Sequence, residues 1–393
     1  MIKLRLQNFG PVLRGTVAFR PLTIFIGPNG SGKSYTAMAF YAFYQGLVRA
    51  GLAPDVLCSY YNLTTDGKVG WEEWLRGALT SGAEAVKAEF LRVFGKPLDR
   101  LATWGKDGGV LELEFAGRYL YRLSWPSPRL EFEGPPCAKM RDAALRRRLA
   151  RLSAGPWGWS DVVYLPASRG GLMQTYYLYV DTALRLAELF PLMGKAEAFP
   201  GLAADFVRLL LLPLGGEAEE YEAFRRRLGV EVVREERAVR VKFGDVAVDV
   251  REAPSGYAEL APLGLALRRK PRYLIIEEPE AHLHPELQVK VADLLVELAE
   301  RGLTLVVTTH SDLILNRVSN AVQRAALGGP GLGPRRVAVY LFKEAEGGYV
   351  VQRLKASGGG IPDEELSRAY EELYREYIDL TYARRVKSEK LQG

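Results

Sequence analysis

The residues Gly27-Pro28-Asn29-Gly30-Ser31-Gly32-Lys33-Ser34 follow the pattern G-x-x-x-x-G-K-[ST], a spacing suited to holding phosphate. Glycines let successive backbone N–H groups turn inward toward one anion. A helix beginning near Lys33 aims its positive dipole end at the same point. Lys33 is then expected to reach the β- and γ-phosphate oxygens of a nucleoside triphosphate, and the Ser34 hydroxyl to meet Mg²⁺. Tyr35 is the last residue of this binding segment. A chance Gly-rich turn is the plainer reading, but an apolar strand precedes the motif and helical spacing follows it.

A second chemical run lies far along the chain. Tyr273-Leu274-Ile275-Ile276-Glu277-Glu278-Pro279-Glu280 carries an apolar strand straight into carboxylates. A buried parallel strand ends where open α/β sheets bind ligands. There Glu277 is expected to hold Mg²⁺ through water, and Glu278 to polarise an attacking water as general base. Glu280 reads as a surface or helix-start carboxylate. The alternative for the whole run is a solvated acidic turn. His310 ends the apolar strand Leu303–Val307, 33 positions past Glu277. One helix and one strand fill that interval, so His310 is expected at the same sheet edge, its imidazole donating to terminal phosphate oxygens. His282 and His284 form an H-x-H with no third Cys or His nearby, which favours a turn over a zinc site. His284 is a candidate for a subunit contact.

The elements that must position these groups follow from the hydrophobic pattern. Ile2-Leu4-Leu6 and Val17-Phe19 alternate as half-buried strands, and Leu22–Ile26 is a continuous apolar strand. Ala37, Tyr41, Tyr44 and Val48 share a helix face after the Gly-rich turn. Val110–Phe115 and Tyr119–Trp125 read as a hairpin about Ala116-Gly117, followed by a basic helix candidate with Arg141 and Arg151. Asp161–Leu165 is a further strand, and residues 173–230 read as mostly helical. Val239–Phe243 and Val246–Val250 make a hairpin about Gly244-Asp245. In the last third, Tyr273–Ile276, a helix over about 285–301 and Leu303–Val307 alternate with short connections, which argues for parallel pairing. Strands at Val337–Phe342 and Tyr349–Leu354 follow, then a helix over about 363–378 and a polar tail from Arg384. The fold class is therefore α/β.

Composition sets the outer limits. The chain has 393 residues with 53 basic and 47 acidic side chains, a net charge of +6, and 48% hydrophobic residues. This excludes wholesale disorder and a collagen-like fibre. The apolar stretch Leu209–Leu214 is far too short to span a bilayer. Charges interleave the first residues where a signal peptide needs an apolar core. Cys58 and Cys137 stand far apart, so no disulfide framework is expected. Cytoplasmic localisation without membrane insertion is the expectation.

Gly27–Ser34, the segment Leu274-Ile275-Ile276-Glu277-Glu278-Pro279-Glu280-Ala281-His282-Leu283-His284-Pro285, and Thr308-Thr309-His310-Ser311 together resemble the ABC-like ATPases of the RecF/SMC branch. Within that branch they are similar to stand-alone AAA-type ATPases related to the OLD family. The resemblance covers the first fifty residues and roughly 250–320. It implies an ABC-type P-loop NTPase fold with a mixed central sheet, an antiparallel β subdomain and a helical signature lobe. The implied division is a nucleotide-binding lobe of residues 1–165 and 270–393, with an insertion over 51–160, and a mainly helical signature lobe over 166–269. It also implies ATP and Mg²⁺ as cofactors and a homodimer formed on ATP binding, in which each protomer's signature meets the other's nucleotide.

By the same resemblance Lys33 binds phosphate, Ser34 and Glu277 serve Mg²⁺, Glu278 is the catalytic glutamate and His310 the switch histidine. Many members have Asp where this chain has Glu277. Ser255 and Gly256 fall at the signature, and one register puts Pro254 where the family has serine. The alternative for Ser255 is a simple helix N-cap. The family's Q-loop should follow Asp161–Leu165, where Arg169 and Gln174 are the candidates. No heptad run sustains a long coiled-coil arm. No acidic cluster after His310 resembles the OLD nuclease, so a separate effector such as a nuclease is the expected partner.

Arg146–Arg148, Arg225–Arg227, Arg268–Lys270 and the tail could track DNA, or could be solvated faces. The leading reading is an Mg-dependent ATP hydrolase coupled to an effector or DNA in repair or mobile-element defence. Its rivals are the ATP-binding subunit of a membrane transporter and a non-hydrolysing ATP switch.

Overall fold

The computed structural model describes residues 1–54, 71–134, 162–175, 201–211, 218–235, 238–362 and 372–382. The basic helix candidate over 141–151, both cysteines and the polar tail lie outside the described residues. So does most of the final helix, of which 372–382 is helical and exposed.

An eleven-stranded sheet organises the chain, in the order β6-β5-β4-β1-β2-β14-β13-β3-β12-β11-β7. Its strands are β1 (Ile2–Phe9), β2 (Val12–Ala18), β3 (Leu22–Ile26), β4 (Gly109–Phe115), β5 (Tyr119–Trp125), β6 (Arg129–Glu133) and β7 (Val162–Leu165). A separate antiparallel sheet holds β8 (Glu231–Glu235), β9 (Ala238–Phe243) and β10 (Val246–Asp249). The main sheet is completed by β11 (Tyr273–Glu277), β12 (Thr304–Thr308), β13 (Val337–Ala345) and β14 (Gly348–Leu354). The helices are α1 (Lys33–Arg49), α2 (Trp71–Phe94), α3 (Gly201–Leu211), α4 (Glu219–Leu228), α5 (Ser255–Leu267), α6 (Pro285–Glu300) and α7 (Asp312–Ala326).

The sheet is mixed, as expected. β13, β3, β12, β11 and β7 pair in parallel, whereas β1 pairs antiparallel with β2 and β4, and β4–β6 form an antiparallel meander. Residues 109–133 therefore extend the main sheet beside β1. Burial explains the difference in strand type. β3 and β11 are buried at every position, and parallel strands need cover on both faces. β4 alternates buried and partly buried positions along its length.

That alternation divides the core between the two faces. Leu22, Ile24, Ile26, Leu274, Ile276, Leu305 and Val307 face α4–α7 on one side. Phe25, Ile275, Val306, Tyr340 and Phe342 face α1 and α2 on the other. α2 was not read from the sequence, because Gly77, Thr80, Ser81 and Gly82 interrupt its pattern. Its buried Val86, Phe90 and Val93 nevertheless keep helical spacing. A Cβ on Gly46 would lie 2.7 Å from Val86 Cα, so α1 and α2 can pack this closely only with glycine there.

Candidate functional site

The Gly-rich segment leaves β3 at Ile26 and enters α1 at Lys33. Gly27 and Gly32 hold φ values of 139° and 100°, which L side chains rarely adopt. A Cβ on Gly32 would also press to 2.7 Å from Val12 Cγ2, and one on Gly27 to 2.7 Å from the Phe342 carbonyl oxygen. α1 begins without a side-chain cap and without an acidic residue in its first turn. Its N-terminal end therefore keeps its positive dipole for an incoming anion.

Lys33 is buried in this loop, donating from Nζ to the carbonyls of Gly27 at 2.8 Å and Pro28 at 2.7 Å. Burial pushes its ammonium down to about 8, while the charges of Glu278 and Glu280 pull the other way. Gly30, Ser31, Gly32, Lys33, Ser34 and Tyr35 share a cavity of roughly 550 Å³ with Glu278 and His310. Segments more than two hundred positions apart thus face one space.

The strand edge is set by β11 and β12. Glu277 closes β11 in register with Thr308, and the Glu278 N–H donates to the Thr308 carbonyl at 2.8 Å. Glu278 itself sits at φ 43°, a left-handed position that turns the chain as it leaves the sheet. Glu277 points elsewhere. It is buried, its Oε2 accepts from the Ala167 N–H at 3.1 Å, and it does not line the cavity. Burial, then the Glu277 charge, pushes the neighbouring Tyr164 phenol well up.

Glu280 differs from its reading as a surface carboxylate. Its Oε1 accepts from Thr309 Oγ1 at 2.8 Å and from the His310 N–H at 2.7 Å. It therefore fixes the turn that presents His310. On the other side of that turn, Ser311 caps α7 through Ile314 N and donates to Gln288 Oε1 at 2.7 Å. Partial burial and the Lys33 charge hold the His310 imidazole below its ordinary value, against Glu278 and Glu280. His282 and His284 do lie in a turn. His282 takes φ 58°, and His284 is the N-cap of α6, its Nδ1 facing the Glu286 N–H at 3.4 Å.

Arg169 is placed under the site rather than in it. It is 2% exposed, and its guanidinium donates to the carbonyls of Pro166, Glu259, Glu277 and Glu278. It also pairs with Glu259 Oε2 at 3.0 Å. This one side chain ties the β7 exit to the backbone of both β11-edge glutamates and to α5. Sequence reading missed Glu259 altogether, since nothing local marks a glutamate inside an apolar helix as the partner of an arginine 90 positions away. Gln174 is exposed and outside the cavity lining.

Ser255 and Gly256 open α5, away from the lining of the cavity. The N-cap is Pro254, so Ser255 is the first helical residue and not the cap. In the two basic segments among the described residues, most arginines have partners within the chain. Arg226 and Arg227 pair with Glu297, and Arg225 with Glu222. Arg268 covers the Tyr221 ring, and Arg269 donates to the Leu209 carbonyl. Arg146–Arg148 and the tail lie outside the described residues.

Residues 219–316, which include Glu277, Glu278 and His310, match the family described as AAA domain, putative AbiEii toxin, Type IV TA system. Over 134 residues the chain is 32% identical to the glutamine transport ATP-binding protein GlnQ of Escherichia coli. That alignment covers 33% of this chain and 52% of the relative. Part of the chain is thus similar to an AAA domain and to ABC-type ATP-binding proteins.

A second relative, the arginine transport ATP-binding protein ArtP of Haemophilus influenzae, is 36% identical over 67 residues, 17% of this chain and 28% of that protein. The chain thus spans about half the length of one of these relatives and less of the other. Among solved structures, an SMC head domain from Thermotoga maritima is similar at 13% identity and a TM-score of 0.44, covering 89% of this chain and 97% of that one. An SMC head of Pyrococcus furiosus, solved with the C-terminal domain of ScpA, gives 14% and 0.46, covering 96% and 100%. Among the described residues, no helix is long and apolar enough to cross a membrane.

Proposed function

We propose that this chain hydrolyses ATP to ADP and phosphate, and that nucleotide-driven pairing of two copies works a separate effector. The observation that carries this reading is the shared cavity of Lys33, Ser34, Glu278 and His310. In the proposed reaction the β- and γ-phosphates lie against the α1 N-terminus and Lys33. The Glu278 carboxylate takes a proton from water as its oxygen bonds to the γ-phosphorus. The bond from that phosphorus to the bridging oxygen breaks, and ADP leaves. His310 donates to a terminal phosphate oxygen, and Glu280 holds its backbone for that task.

The donors fit Mg²⁺. Ser34 and Glu277 offer hard oxygens, and Glu277 is buried at the end of β11 beside the Tyr164 phenol. Mg²⁺ commonly keeps several waters and takes phosphate oxygens, so two protein oxygens are enough for the proposed site. Ser34, which lines the cavity, would hold it directly and Glu277, outside that lining, only through water; when bound it would supply charge neutralisation at the phosphates.

Ser255 and Gly256 lie outside the cavity of their own chain, so in this reading they cover the γ-phosphate of a second copy. The proposed output is an ATPase acting with a separate effector, such as a nuclease; the matched family's description reads putative AbiEii toxin, Type IV TA system. DNA is a variable of the assay, since a genuine electrostatic contact fades steeply with salt. The similarity to transport ATP-binding proteins supports a second reading, an ATP-binding subunit working on a membrane partner.

Purified Glu278→Gln should bind ATP as the wild type does, lose turnover, and accumulate as a dimer with ATP in light scattering. Turnover equal to wild type would remove Glu278 as the base. Absence of turnover in the wild type, with ATP still bound, would leave a non-hydrolysing switch.

A further inference from the structure

The phosphate loop makes only part of the cavity wall. Another part is the turn from Arg100 to Trp104, which lines the same space, with Gly10–Pro11 and Gly347–Gly348 beside it. The turn is fastened. Leu98 and Leu101 are buried. The Gly10 N–H donates to the Leu101 carbonyl at 2.7 Å, and the Thr103 N–H to the Asn8 carbonyl at 3.2 Å. Thr103 Oγ1 donates to the Val12 carbonyl at 3.1 Å, and Thr103 is itself buried.

On this anchored turn Trp104 is 98% exposed, more than any other large apolar side chain among the described residues. An indole normally buries a large area when a fold can offer one. Here its backbone is held while its ring faces solvent at the cavity. Arg100 lines the cavity too and makes no ion pair among the described residues.

We propose that Trp104 is the stacking platform for the base of the bound nucleotide. The triphosphate rests on the Gly27–Ser34 loop, and the purine face lies against the indole, with the Arg100 guanidinium adding positive charge at the same wall. The inference rests on the nucleotide reading of the cavity and adds the source of base affinity. A flat, electron-rich ring is sequence-tolerant toward bases but distinguishes any base from none, and it favours purines by their larger face. The segment carrying it lies about seventy positions beyond the Gly-rich loop, outside every motif the sequence offered.

The test measures binding of ATP and of inorganic tripolyphosphate, each with Mg²⁺, to the full chain by calorimetry. Wild type, Trp104→Ala and Trp104→Phe are compared, with thermal unfolding as the folding control. Wild type should prefer ATP. Trp104→Ala should weaken ATP roughly tenfold to a hundredfold, the range of alanine substitutions at stacking aromatics. It should leave tripolyphosphate unchanged, and Trp104→Phe should restore most of the loss. Unchanged ATP affinity in Trp104→Ala would overturn the proposal, as would equal weakening of both ligands. A variant altered only in concentration-dependent dimerisation would overturn it as well, and would assign the indole to a second copy. Wild type that binds neither ligand would instead refute the nucleotide reading itself. Equal wild-type affinity for both would refute the base platform and leave the phosphate site standing.

Discussion

Lys33 and Arg169 both sit at the carboxyl edge of the parallel strands, and they are almost equally buried, at 6% and 2% exposure. Their surroundings differ in kind. Lys33 is held by two neutral carbonyls of its own loop and faces an open cavity. Arg169 spends its donors on four carbonyls drawn from three parts of the chain and on the buried Glu259 carboxylate. A cation kept by a few local dipoles can exchange them for phosphate oxygens. A cation whose fork is fully engaged cannot, and removing it leaves an uncompensated buried charge. Burial alone therefore does not distinguish a binding group from a structural one; the partners do.

The strongest way to break this contrast is Arg169→Ala. Glu259 and the carbonyls of Glu277 and Glu278 would lose their common donor, and unfolding in urea should show a loss of about 3–5 kcal/mol. Arg169→Lys should recover little of it, because an ammonium cannot span a planar fork of acceptors. Wild-type stability in the alanine variant would end the structural assignment.

Next in size is Lys33→Met. Loss of a charged donor to phosphate should weaken ATP roughly tenfold to a hundredfold in calorimetry. Stability at pH 7 should hold or rise, since a desolvated cation has been removed. A variant that instead unfolds like Arg169→Ala would make the two cations alike.

The pH dependence sharpens the same point. Lys33 titrates at about 8 in the folded chain, against 10.5 for its ordinary value. Between these values the unfolded chain binds more protons, so the Lys33 contribution to stability rises with pH through that window and is lost as pH falls toward 8. Denaturation at pH 7.5 and 9.5 should show wild type gaining on Lys33→Met. Anionic phosphate favours the charged ammonium, so nucleotide binding above pH 8 should take up protons. Parallel stability curves would remove the depressed Lys33 from the account.

The smallest effect belongs to Glu280→Gln. Both hydrogen bonds end on one oxygen, so an amide oxygen can keep them but not the charge that strengthens them, for a loss of about 1 kcal/mol. Glu280 raises the His310 imidazole, so in the variant His310 should titrate at a still lower pH by NMR. An unmoved His310 would separate Glu280 from the site.

How much of this was legible depends on the reach of each interaction. The phosphate loop is a local object, written in eight consecutive residues and the φ values their glycines permit. β11 and β12 announced themselves by unbroken apolar runs, and their parallel register brought Glu278 and His310 to one edge. Glu280 was misjudged because its partners, Thr309 and His310, lie some thirty positions away. Arg169 was noticed for its place after β7, but its role required Glu259 and the β11 carbonyls. Trp104 carried no signal, since an exposed indole and a buried one look the same in a sequence.

What the sequence determined by itself is the set of groups able to hold a triphosphate and the strands that end beside them. Backbone conformation and hydrophobic periodicity act over a few residues, and each segment carries that information alone. The tertiary structure decided which cation faces a cavity and which is sealed beneath it, and which carboxylate meets the cavity and which faces the β7 exit. Those outcomes depend on desolvation and on acceptors brought in from distant segments, and neither exists until the sheet has assembled.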